Sequence, residues 1–119
     1  MLRLLPKSKN DFIAIQATGT LTGDDYDAVL PDIEKIIEKH GKVRVCVDME
    51  FFDGWDMNAA WKDMTFGITH WNDMEKLAIV GDAKWEEWTA NIANAMMHGE
   101  VRHFPTHEQT EAIKWAKAP

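Results

Sequence analysis

The feature that most constrains this chain is the regular turn-taking of β-prone and helical segments over its last two thirds. Apolar β-prone runs at 43–48, 76–80 and 101–104 are separated by helical patterns over about 56–72 and 83–97, and a final helical stretch covers about 107–117. Strands separated by helix-length segments are joined by crossovers, and crossovers build a mainly parallel sheet with helices lying on it. Ahead of this pattern, Leu2 to Leu5 and Phe12 to Ala17 are short β-prone runs flanking the turn-forming residues 6–11, a hairpin-like opening that Gly19 closes. The chain therefore reads as a single α/β domain over residues 1–119: a small mixed, mainly parallel sheet covered by about four helices.

The first helix is marked by its ends. Thr22 is placed to cap it, and Asp24 and Asp25 put negative charge in the first turn, where the helix dipole favours it. Tyr26, Val29, Leu30, Ile33 and Ile37 share one face at helical spacing, and Gly41 ends the run. Pro31 falls inside this pattern and predicts a kink or a restart, because proline lacks the backbone donor that a continuous helix uses.

Charge narrows the partners. A formal charge of −7 and an isoelectric point near 5.1 repel a phosphate backbone, and the basic residues form no run beyond the short arm of Arg3, Lys7 and Lys9. Nucleic acid is excluded as a partner on this ground. The same acidity leaves apolar insertion as the only route to a membrane surface, so any such contact is peripheral. No stretch approaches the ~18 apolar residues of a membrane span, and the amino terminus lacks the apolar core of a secretion signal. The single cysteine, Cys46, sits in an apolar β-prone run and reads as a core thiol, so a reducing, cytoplasmic location is expected.

Four segments carry a resemblance. Residues 19–26 (GTLTGDDY), 52–55 (FDGW), 77–85 (LAIVGDAKW) and 111–115 (EAIKW) together resemble the bacterial SpoIIAA-like family, a branch of the STAS-type folds, in the right order and over essentially the whole chain. The resemblance implies a small mixed sheet with about four helices, an architecture also compared with the CRAL-TRIO lipid-binding domain, and it implies no assigned activity. The anti-sigma-factor antagonists that give the family its name are switched by phosphorylation of a serine at the start of the helix after the third strand. The corresponding stretch here, residues 52–57, contains no hydroxyl, and the sole serine, Ser8, lies in the opening turn. Asp53 and Asp56 in that stretch read as helix caps rather than as phosphate mimics.

Catalytic groupings are sparse. Nucleophilic catalysis requires an activated serine, cysteine or similar group beside a base. Ser8 has no recognisable partner and Cys46 reads as buried, so the chain is read as a non-enzyme. Asp48 at the carboxyl end of a central strand, with Asp53, Asp56 and Asp82 on neighbouring loops, occupies the place where open α/β sheets put ligand-contacting groups. No metal-binding spacing accompanies these carboxylates or the histidines His98, His103 and His107, and neither a metal nor a cofactor is expected.

The unusual feature is aromatic and sulfur content: six tryptophans and seven methionines. Met57, Trp61, Met64, Ile68 and Trp71 recur at spacings of four and three, as do Trp85, Trp88, Ile92 and Met96. Both stripes read in the first place as core packed on the sheet. Phe51, Phe52, Trp55 and Phe66 add large apolar groups beside them, however, and Gly67 weakens the first helix by ~1 kcal/mol relative to alanine. On the second reading, Asp48, Phe51, Phe52, Trp55, Trp61, Met64, Trp71, Asp82, Trp85 and Trp88 line a ligand site with Gly67 as its hinge. The expected function is then a binding or regulatory domain for a small amphipathic or lipid-like ligand, with peripheral membrane contact. The competing reading is a protein-interaction module, as a homodimer or as an antagonist-like regulator without the phosphorylatable serine.

Overall fold

The structure, a computed structural model, describes residues 1–82, 84, 85 and 99–118. Five strands form one sheet in the order β1-β2-β3-β4-β5. β1 (Leu2–Leu4) runs antiparallel to β2 (Phe12–Leu21), while β2, β3 (Val43–Trp55), β4 (Met74–Val80) and β5 (Glu100–Phe104) are parallel. Because side chains alternate along a strand, β2 to β5 divide their residues between two faces. Ile13, Val43, Val45, Leu77 and Ile79 point to one, and Phe12, Ala14, Cys46, Ala78, Val80 and Phe104 to the other.

Helices α1 (Gly23–His40) and α2 (Met57–His70) follow β2 and β3 and lie on the first face, as crossovers of one hand between successive strands require. Helix α3 (Gln109–Lys117) comes after the last strand and returns over the second face. It lies close there because Ala14 and Ala78 of the sheet meet Ala112 and Ala116 of the helix, all almost wholly buried. Its carbonyl end is met by cations from the sheet. Lys76 Nζ donates to Trp115 O and Ala118 O, and Arg44 donates to Lys117 O and Ala118 O. Both suit the negative end of the helix dipole.

The expected capping of α1 is present in full: Thr22 Oγ1 accepts from Asp25 N, and the Asp25 carboxylate accepts from Thr22 N at 2.8 Å. Pro31 neither ends nor restarts the helix, which runs from Gly23 to His40. Proline removes a single hydrogen bond, and the buried residues on either side of it, Val29 and Ile33, hold the segment to the sheet.

The largest departure from expectation is strand length. β2 and β3 stay paired through Thr18–Phe51, Gly19–Phe52, Thr20–Gly54 and Leu21–Trp55, so residues 51–55 lie on a strand where a loop was expected. One register shift lies just before this stretch, between Gln16 and Thr18, and a second falls within it between Gly19 (φ 65°) and Thr20, whose partner across the ladder is Gly54 (φ 144°). Glycine adopts these angles without a Cβ clash, which lets the ladder continue past residues that otherwise signal a turn. The final helix begins at Gln109, after a 3-10 turn over Thr106–Glu108. The helix expected over 83–97 falls mostly outside the described residues, of which 84 and 85 are helical. Among the described residues, no helix is long and apolar enough to cross a membrane.

Candidate functional site

Helix α2 starts at the carboxyl end of the sheet, where Asp56 caps it by accepting from Ala59 N at 2.7 Å. Ala59 is fully buried and fixes which side of the helix faces inward. Among the side chains described, those that share that side are polar. The Asp63 carboxylate accepts from the Tyr26 hydroxyl at 3.2 Å, and that hydroxyl in turn accepts from Trp55 Nε1 at 2.9 Å. Lys62 pairs with Asp27, and His70 lies within ion-pair distance of Glu34 and Asp73. Burial pushes the Asp63 carboxyl above its ordinary value, against the opposing pull of the Tyr26 bond. The Tyr26 phenol is likewise raised, first by burial and then by the charge of Asp63. Helix α2 is thus tied to α1 through hydrogen-bonded polar groups, with Gly23 of α1 so near that an added Cβ would stand 3.0 Å from Asn58 Cβ.

The apolar residues at the start of α2 point the other way. Met57 is 90% exposed and Trp61, one turn on, is 66% exposed. With Phe51 at 62% exposure near the end of β3, they place three large apolar side chains on the surface at the carboxyl end of the sheet. The spacing of these residues is legible in the sequence; the direction in which they point is not.

Phe52, Trp55 and Trp85 form a separate group beneath. Their ring centroids lie 4.5 Å (Phe52–Trp55), 5.3 Å (Phe52–Trp85) and 6.3 Å (Trp55–Trp85) apart in tilted and edge-on arrangements, and Phe52 and Trp85 are buried. Gly81 makes this possible, because a Cβ there would lie 2.6 Å from Trp85 Cδ1. Asp82 is exposed, and its carboxylate accepts from Lys84 N.

Asp48 does not join either group. It follows Cys46 on the opposite face of the sheet, is buried, and uses its two oxygens to accept from Glu50 N and Gln109 Nε2. It therefore anchors the start of α3. Burial first, then the neighbouring Asp48 charge, pushes the Cys46 thiol up to about 12. The ten residues singled out in the sequence are thus divided. Phe51 and Trp61 are on the surface, Phe52, Trp55 and Trp85 form the aromatic group, and Asp82 stands at the loop after β4. Gly67 lies within α2, the side chains of Met64 and Trp71 fall outside those described, and Trp88 is outside the described residues. The His103 ring bonds with Gly81 O and Asp82 O, and among the described residues no three metal-ligating side chains converge.

A parallel-rich five-stranded sheet with helices on both faces defines the fold class. The SpoIIAA-like family model matches residues 12–117, and the chain belongs to that family. Among solved structures it is similar to an uncharacterised protein with a SpoIIAA-like fold from Shewanella loihica PV-4. The TM-score is 0.80 at 26% identity, over 97% of this chain and 93% of that one. No functionally curated protein matches the chain.

Proposed function

We propose that this protein is a non-enzymatic binding domain whose outer α2 surface engages an amphipathic, lipid-like partner from the water side. One observation carries the reading: α2 turns Met57 and Trp61 to solvent while Asp63, Lys62 and His70 face its neighbour. A helix that only completes the core has the reverse arrangement, and contiguous exposed apolar groups mark interaction surfaces. Tryptophan and methionine suit such a surface, one being broad and amphipathic and the other adaptable. The buried, raised thiol of Cys46 and the use of Ser8 in backbone bonding supply no ready nucleophile, in keeping with binding rather than catalysis.

Magnitude sets the kind of contact. Burying two such side chains contributes roughly 3–6 kcal/mol before association costs. Binding is therefore weak and reversible, and the net charge of −7 directs it to zwitterionic rather than anionic lipid.

The test uses phosphatidylcholine vesicles with brominated acyl chains, which quench tryptophan that enters the bilayer interface. Quenching is expected for the native chain and its loss for the Met57→Ala, Trp61→Ala double variant. Absence of quenching, or quenching untouched by the double variant, contradicts the proposal. A concentration-dependent doubling of mass that the same variant abolishes, without quenching, would replace it with self-association.

A further inference from the structure

The opposite end of the sheet carries a groove of 490 Å³ between the β1–β2 turn and the carboxyl end of α1. Its floor is apolar, made by Leu4, Leu5, Pro6 and Ile36. Its rim carries Lys9, Lys39 and His40, all exposed, and among the described residues no carboxylate lines it. In a chain with 20 acidic and 13 basic residues this is a local reversal of charge, assembled from segments about thirty residues apart in sequence.

The rim is held in place before any ligand arrives. Ser8 Oγ accepts from Ala14 N at 2.9 Å and donates to Ala14 O, and Ser8 N donates to Leu5 O. Lys9 and Phe12 exchange backbone bonds of 2.9 and 3.0 Å across Asn10, which takes up a φ of 56°. A turn fixed this way loses little freedom on binding, and 490 Å³ falls within the range of small-molecule sites. From these features we infer that the groove binds a small free amphiphile with one anionic head and a short hydrocarbon part. The head sits between Lys9 and Lys39, and the tail lies on Leu4, Leu5 and Ile36. The carbonyl end of α1 opposes an anion here, although Gly41 N–H occupies Ile37 O at 2.7 Å, so the rim lysines are required for affinity. The volume accommodates a molecule of this size rather than an extended acidic peptide. The site stands apart from the α2 surface and does not depend on its function.

Amide chemical-shift titrations test this with three probes: octanoate, its uncharged counterpart octanol, and acetate as the head alone. Octanoate is expected to move the amides of residues 4–10 and 36–41 at lower concentration than either control. The Lys9→Glu, Lys39→Glu double variant, altered only at exposed positions, should weaken octanoate by about tenfold as two surface charges turn from attraction to repulsion, while leaving octanol unchanged. Octanoate shifts centred elsewhere, equal shifts from acetate, or octanoate affinity untouched by charge reversal would each overturn the assignment.

Discussion

Helices α1 and α2 lie side by side on one face of the sheet, and their sequences show the same kind of apolar periodicity with opposite outcomes among the described side chains. In α1 the stripe of Tyr26, Val29, Ile33 and Ile37 is buried. In α2 the first two members of the stripe, Met57 and Trp61, are on the outside, and among the described side chains the inner side holds Ala59 and a polar network. Periodicity establishes that a helix has two faces; it does not establish which one turns inward. That choice was made in α2 by a small residue that fits against the sheet and by polar groups that find partners on α1.

The comparison can be broken most forcefully by truncating each stripe. Ile33→Ala removes a buried group and should destabilise the fold by roughly 2–5 kcal/mol, whereas Met57→Ala should stay within about 0.5 kcal/mol. Urea unfolding measures both, and a large loss for Met57→Ala would place that residue in the core. A second contrast concerns two tryptophans, Trp61 on the surface and Trp85 at 7% exposure. Gly81→Ala drives a methyl to 2.6 Å from the Trp85 ring and should cost about 1–3 kcal/mol by overpacking. An unchanged unfolding midpoint would mean that Trp85 yields freely.

A subtler contrast separates one carboxylate on each helix. Asp25 in the α1 cap is held below 3.8 chiefly by the Thr22 backbone bond, so its stabilising contribution is full above 3.8 and is lost as pH falls through the folded value. Asp63 is raised above 3.8 by burial, so the folded state holds its proton longer and stability from this group declines as pH rises from 3.8 through the folded value. Asp25→Asn should therefore cost stability only at the higher pH. Asp63→Asn should gain relative to the native chain over the same rise and then level off. Parallel pH profiles for the two variants would contradict the desolvation of Asp63 between α1 and α2.

Much of the fold was legible because strand and helix signals alternate without interruption, and the cap formed by Thr22 and Asp25 was legible because it is local. The extension of β2 and β3 through residues 51–55 was not. It depends on Gly19 and Gly54 admitting the register shift between Gly19 and Thr20, in a region whose sequence otherwise signals a turn. The separation of Asp48 from the aromatic group was hidden for a related reason, since the face a strand residue takes depends on register, and carboxyl-end residues can point to either side. The basic rim of the groove escaped detection because Lys9 and Lys39 are distant in sequence and are brought together only by the β1–β2 turn meeting the end of α1.

The central claim, that α2 presents an apolar surface for binding, is tested most directly by oxidation of methionine with dilute peroxide, mapped by peptide mass spectrometry with and without phosphatidylcholine vesicles. Met57 at 90% exposure should oxidise far faster than Met49 at 6%, and vesicles should slow Met57 selectively. Oxidation of Met57 as slow as that of Met49, or a fast rate that vesicles leave unchanged, would contradict the account.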